Sequence, residues 1–227
     1  MAKQTLNNIA PDKRERVLRE AALAFAERGY SQTDVADLAK RCGVAKGSIY
    51  NYFESKDAIY LHVCRDGLER SRVAVWGGVD PSWDVFRVVE HIFKEGVAFA
   101  QHHPEYVKLY LGVASVGLES FAMQLSSEVE KPAADRLAAL IRSGIAAGVV
   151  NRDVDVPLLA WHINNSYVML VAALVSEHFK IRLRDYLALQ AELTDRDVSK
   201  LRERIVTMLH QALRPRANPK TTKARRP

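Results

Sequence analysis

The residues best suited to chemistry form one short run, Lys46-Gly47-Ser48-Ile49-Tyr50-Asn51-Tyr52-Phe53. Ile49 and Phe53 are four apart, the spacing that places two side chains on one face of a helix. They take the core side, and the others are left to face outward. Each of those suits a nucleic-acid duplex. Lys46 reaches a phosphate or the guanine edge, and Asn51 matches the paired donor and acceptor of adenine. Ser48 donates to a phosphate or a base edge. Tyr50 and Tyr52 offer phenol donors to phosphate, or a ring to a thymine methyl. Gly47 has no side chain, so backbone can approach the duplex closely. Thr33 and Lys56 stand at the starts of flanking helices, where free amides and positive charge hold phosphate.

Chemistry of other kinds is poorly supplied. The sequence has no nucleophile–base pair at a recognised spacing, no cluster of metal ligands and no glycine-rich phosphate loop. No catalytic residue, metal or cofactor is therefore assigned. An enzyme built on the C-terminal half is the weaker alternative. The pair His102-His103 directly precedes Pro104. Adjacent histidines on a helix point apart, so the pair reads as a helix end. The two cysteines, Cys42 and Cys64, cannot build a disulfide framework and read as small buried thiols.

The elements that must position Lys46 to Tyr52 are helical, and the chain reads as all-α. Apolar side chains recur at spacings of three and four, with no sustained alternation. A first helix spans about Asp12 to Arg28 and stops at Gly29. A second follows Thr33, whose hydroxyl is expected to cap it, beside Asp34. It ends before Gly43. A third runs from Ala45 to about Tyr52, and a fourth, capped by Ser55, from Lys56 to Val75. Two short helices joined by the tight turn Cys42-Gly43-Val44 have the pattern of a helix-turn-helix. Beyond Gly77-Gly78 the helices lengthen: Trp83–His102, Pro104–Val113, Gly117–Ala147, Val156–His178 and Asp195–Leu213. Pro132 is expected to kink or split the third of these.

Three stretches together resemble the TetR-type bacterial transcriptional regulators: Val17-Leu18-Arg19-Glu20-Ala21-Ala22 through Phe25 and Gly29-Tyr30, Thr33 through Ala39, and Gly43 through Ile59. They cover about Arg14 to Tyr60. The departures are Ala45 where Ser or Thr is common, Asn51 where His is common, and Glu54 where Pro is common. The first removes a helix cap, and the second bears on which operator is read. The resemblance implies a DNA-binding regulator, most simply a repressor. It implies a homodimer formed through helices 156–178 and 195–213, which presents two recognition helices to a palindromic operator. It also implies a small-molecule effector held among the C-terminal helices. Candidate linings are Phe86, Tyr106, Tyr110, Phe121, Trp161, Asn165 and Met169, with Tyr110 and Asn165 favoured because a polar group on an apolar helix needs a partner. A DNA-binding or architectural protein with no small ligand is the alternative.

Charge sharpens this only in part. The net charge is +6 and the isoelectric point about 9.3. Residues 1–60 carry ten basic and eight acidic side chains, and residues 214–227 carry six basic and none acidic. The excess therefore belongs to the end of the chain, not to the helix-turn-helix. The expected division is a DNA-binding domain over 1–55, a ligand-binding and dimerisation domain over 56–213, and a disordered basic tail over 214–227. The longest apolar run, Tyr167 to Val175, is nine residues, against roughly 20 for a membrane span. With no apolar signal core at the N-terminus, the expected location is the cytoplasm.

Overall fold

The computed structural model of the chain describes residues 6–115, 117–189, 191 and 193–215. Among them are a 3-10 turn, Leu6–Asn8, and ten α-helices, with no strand. The helices are α1 (Pro11–Gln32), α2 (Val35–Arg41), α3 (Lys46–Tyr52), α4 (Lys56–Trp76), α5 (Val85–His102), α6 (Pro104–Gly112), α7 (Glu119–Ala146), α8 (Val156–Val175), α9 (Glu177–Tyr186) and α10 (Asp195–Leu213). Apart from Arg214 and Pro215, the basic tail lies outside the described residues.

Local chemistry sets most boundaries. Pro11 opens α1, and Gly29, at φ 73° and ψ 172°, breaks its helical path before a last turn to Gln32. Ser55, Asp84 and Asp155 cap α4, α5 and α8, each accepting a bond from an amide three residues on. At α10, Thr194 and Asp197 form a reciprocal capping box.

Three expectations are corrected. Thr33 does not cap α2; Asp34 does, accepting from the amides of Ala36 (2.6 Å) and Asp37 (3.2 Å). Of the two outcomes expected at Pro132, a split does not occur: α7 runs through it as one helix packed against α8 and α4. A proline removes one backbone donor, and tertiary packing over so long a helix outweighs that local loss. Helix 156–178 ends early, because Ser176 is extended at φ −117° and ψ 124° and separates α8 from α9.

Two apolar cores result. The first joins α1–α4 to the ends of α5 and α8 and to α6 and the start of α7, around Phe25, Tyr60 and Phe121. The second joins α5, α7, α8 and α10 around Phe93, Ile141, Ile163 and Leu209. The first core crosses the expected boundary at residue 55, since α1 packs directly on α6. Its centre is aromatic: Tyr60 meets Phe25 at 5.1 Å and Tyr30 at 5.2 Å, and Tyr30 meets Phe121 at 5.5 Å. The helix-turn-helix is thereby fixed to the helices that surround a cavity.

Close packing ties α4 to α6. A Cβ built on Gly67 would lie 2.4 Å from Cδ1 of the buried Tyr106 ring. Gly67→Ala should destabilise the protein by about 1–3 kcal/mol through overpacking, despite a better helix former. Thermal unfolding of the variant checks this; an unchanged midpoint would remove the tight contact from the account.

Helix α8 is 20 residues long, with a mean hydropathy of 1.5 over its most apolar window, enough by length and composition to cross a membrane. The longest uninterrupted run misses this, because His162, Asn164 and Asn165 interrupt an otherwise apolar segment. Here α8 packs against α5, α6, α7 and α9.

Candidate nucleic-acid face and effector cavity

The turn before α3 closes on backbone bonds. The Cys42 amide donates to Leu38 O (2.9 Å) and the Val44 amide to Ala39 O (3.0 Å), while Gly43 takes φ 65°. Only a residue tolerant of that left-handed angle fits there. Cys42 is buried beneath the turn, and desolvation pushes its thiol up to about 11. Burial raises the Cys64 thiol as well, to about 12, so both remain protonated at neutral pH.

Helix α3 buries Ile49 completely, and Phe53 follows it into the core. Lys46, Gly47, Tyr50 and Asn51 are exposed, Tyr50 by 42%. Ser48 is half-buried. The structure therefore brings Lys46, Gly47, Ser48, Tyr50 and Asn51 to one short outward face. Ala45 caps α3 with no side-chain bond, as its residue type dictates. The amides at that end of the helix have no cap from the chain's own side chain.

Three of the anticipated contact residues also hold contacts within the protein, and one of them is buried. Thr33 is buried, and its hydroxyl donates to the carbonyl of Gly29 (2.7 Å) and to that of Ala24 (3.3 Å). It locks the α1–α2 corner and is not a surface phosphate anchor. Tyr52 is half-buried, with Lys13 Nζ 5.7 Å from its ring centroid, so it lies at the edge of the face beside α1. Lys56 is half-buried over the Tyr30 ring at 4.6 Å and donates to Ser31 O at 3.2 Å. Tyr30 in turn hydrogen-bonds Asp57.

The Asp34 carboxylate is held below the usual range, first by the Ala36 amide and then by that of Asp37, with Lys46 and Lys56 adding smaller favourable fields. A carboxyl depressed by folding adds stability above its unfolded pKa and loses it as pH falls. Thermal unfolding midpoints should therefore fall below about pH 4. Asp34→Asn, which still caps but cannot ionise, should flatten part of that fall. Identical pH profiles for the two proteins would disprove this contribution.

A second site lies among the C-terminal helices. A cavity of about 330 Å³ opens between α4, α6, α7 and α8, with Phe99 of α5 at its side. Tyr106 and Tyr110 line it; burial raises both phenols, with Asp66 and Glu130 adding to the effect. The other anticipated linings lie elsewhere. Phe86 meets His210 edge to face in the α5–α10 core, and Phe121 belongs to the aromatic centre of the first core. Trp161 (64% exposed) and Met169 (41%) lie on the outer face of α8. Asn165 is half-buried outside the cavity, and its neighbour Asn164 is the lining residue. On a helix apolar nearly all round, the spacing does not say which side faces inward. Sequence reasoning also missed Trp76 and Arg136, which meet at the cavity edge with the guanidinium 4.7 Å from the ring centroid. A basic residue on a helix reads by default as a solvated one, so no signal marked it.

One polar chain leaves the cavity wall toward the helix-turn-helix. The Tyr106 hydroxyl donates to Asp66 Oδ2 (3.2 Å), which also accepts from Arg70 Nε (2.7 Å). Arg70 then donates to Glu15 of α1 (2.6 Å), and its guanidinium lies 5.7 Å from the Tyr106 ring centroid. Burial lowers the Arg70 pKa, and the bonds to Glu15 and Asp66 more than reverse that.

Residues 17–63 match the family model described as bacterial regulatory proteins, tetR family. The transcriptional regulator YerO of Bacillus subtilis is 36% identical over 53 residues, 23% of this chain and only 18% of that protein's length. The transcriptional repressor KstR2 of Mycolicibacterium smegmatis is 26% identical over 162 residues, covering 66% of this chain and 77% of that protein. Among solved structures, the regulator FadR of Bacillus subtilis in complex with stearoyl-CoA superposes with a TM-score of 0.69 at 18% identity, covering 88% of this chain and 98% of that one. The ketosteroid regulator KstR2 of Mycobacterium tuberculosis gives 0.62 at 19% identity, over 92% and 97%. Both share the fold.

Proposed function

We propose that this chain, whose residues 17–63 match the tetR family of bacterial regulatory proteins, is a homodimeric transcriptional repressor whose hold on DNA is changed by a small molecule in the α4–α8 cavity. The observation that carries the reading is α3. One side of that helix is buried at Ile49, and the other presents Lys46, Gly47, Tyr50 and Asn51 to solvent within the matched segment. Lys46 and Tyr50 are assigned to phosphate and base edges, Asn51 to a base, and Ser48 and Tyr52 to the flanking backbone. Lys56, at the start of α4, steadies the neighbouring phosphate. The protein acts in the cytoplasm, where its DNA is. The division into a reading head and an effector body is functional, since one apolar core spans both.

Two heads are needed because seven residues of α3 read too few base pairs. Leu158 (59% exposed), Trp161 and Met169 form a stripe along α8, and Met208 (51%) adds to it from α10. Exposed apolar side chains of this size, at spacings of three and eight along one helix, support a two-fold helix interface. It would set the recognition helices about 34–36 Å apart, one turn of duplex. Selection from a random duplex pool should return an inverted repeat. Leu158→Arg with Trp161→Arg should give a folded monomer by light scattering that binds such DNA at least about tenfold more weakly. A monomeric wild type bound to a single, non-repeated site would overturn the dimer.

An effector with an apolar body suits a cavity lined by Leu68, Val75, Phe99 and Val107; one structural neighbour is in complex with stearoyl-CoA and another is named a ketosteroid transcriptional regulator. The polar chain from Tyr106 to Glu15 offers the route by which occupancy reaches α1.

A further inference from the structure

The cavity has a second chamber. A space of about 280 Å³ lies beside the first, between α4, α6, α7 and Phe179 of α9. Leu68, Tyr106, Tyr110, Val129 and Glu130 line both. Within that shared wall the Tyr110 hydroxyl donates to Glu130 at 2.7 Å. The chambers differ in character. The second is faced mainly by aliphatic side chains, among them Leu109, Leu111, Val113 and Leu125. The first carries three arginines, and two are taken. Arg65 is held by both oxygens of Glu128 (2.8–3.2 Å) and Arg72 by those of Glu69 (2.6–2.7 Å). Arg136, on the Trp76 ring, has no ion pair among the described residues.

We infer that the two chambers form one site for an elongated anionic amphiphile, with its head group on Arg136 and its apolar tail passing the Tyr110–Glu130 latch into the second chamber. This rests on the effector reading above. The charge pattern selects the head: the one guanidinium without an acid partner sits at the edge, over an aromatic face that leaves its in-plane donors free for a carboxylate or phosphate. The lining selects the tail, because an aliphatic chamber rewards each methylene removed from water and gives nothing to a polar group. The latch selects for length. A short tail fills the first chamber and leaves the Tyr110–Glu130 bond in place; a longer one swings the phenol aside.

The test uses the full-length protein and a displacement assay with Nile red, an uncharged apolar dye. Saturated fatty carboxylates and alkyl phosphates of about eight to about sixteen carbons are the competitors. Affinity should climb roughly three- to fourfold per buried methylene and continue past the length that fills the first chamber. Ser126→Trp and, separately, Ala122→Phe, both lining the second chamber, should remove the gain for long chains and leave short chains unchanged. Tyr110→Phe should favour long chains over short ones. Arg136→Gln should weaken carboxylates and phosphates about tenfold while leaving the alkanol of equal length unaffected. Phosphates outcompeting carboxylates would assign the head to a phosphate-bearing carrier; the reverse assigns a free acid, and either supports the site. Equal binding of an alkyltrimethylammonium overturns the head, and affinity that stops rising in both wild type and Ser126→Trp overturns the tail. If Nile red binds but no amphiphile displaces it, the cavity stands and this inference fails. If neither binds, the effector reading fails with it.

Discussion

The double variant Lys46→Ala, Tyr50→Ala should bind the selected operator roughly a hundredfold more weakly, or worse, with an unchanged unfolding midpoint. Each side chain projects from the exposed side of α3, so truncation removes nothing from the core. A specific contact to a base or phosphate is worth about 1–3 kcal/mol, and two of them lost together give a factor of that size. The salt dependence should separate the two. Losing the Lys46 phosphate contact lowers the slope of log affinity against log salt by about one, while losing Tyr50 leaves it nearly unchanged. Two controls fix the interpretation. Ile49→Ala removes a fully buried side chain and should cost about 2–5 kcal/mol of stability, so it loses DNA binding with the fold. Gly47→Ala places a Cβ that meets nothing within 4 Å, and in the free protein it should add roughly 1 kcal/mol of helix stability. Any operator affinity lost by that variant reports contact with DNA alone. Full affinity in the double variant would remove α3 as the reading helix.

The N-terminal half was legible because its signals are local. Gly29 and Gly43 mark left-handed turns, Ser55 marks a cap, and Ile49 and Phe53 mark a core face; each acts over four residues or fewer. Thr33 shows the limit. Thr and Asp both cap helices, and which one does so depended on a tertiary fact: the Thr33 hydroxyl is within reach of the Gly29 carbonyl. The cavity was hard to read for a similar reason. On α8, apolar side chains face the core, the cavity and solvent alike. Asn164 and Asn165 differ by one step of about 100° around the axis, and the residues alone do not orient the wheel. Phe121 looked like a ligand contact because aromatic side chains line pockets and fill cores equally well, and only the approach of Tyr30 decided between them. The break at Ser176 carries neither proline nor glycine, so α9 had no local signal to set it apart from α8.

Arg70→Ala should leave both DNA binding and effector binding nearly intact and remove the dependence of one on the other. Arg70 joins the cavity wall to the first helix by polar contacts: it lies against the Tyr106 ring, holds Asp66, and donates to Glu15 on α1. The Arg70–Glu15 pair is only partly exposed, and the variant also leaves Asp66 with its Tyr106 bond alone, so it should lose about 1–3 kcal/mol of stability with the head still folded. Coupling is another quantity. It is the difference between the arrangements with and without effector, and contacts joining the two moving parts contribute to it in full. When an effector displaces Tyr106, Asp66 and Arg70 must shift with it, and Glu15 carries that shift into α1, against which α2 packs, with α3 packed on α2 in turn. Without Arg70 the chain ends at Asp66. Operator affinity measured with and without saturating effector should then differ by less than about twofold, where wild type differs by about 5- to 150-fold. Reciprocity demands that the effector affinity of the variant be equally insensitive to operator DNA. Glu15→Gln keeps the shape of the contact and removes its charge, so it should retain an intermediate response that weakens less with added salt than wild type does. A wild-type ratio in Arg70→Ala would mean that the signal passes instead through the apolar packing of α1 on α6, which no single charged side chain controls.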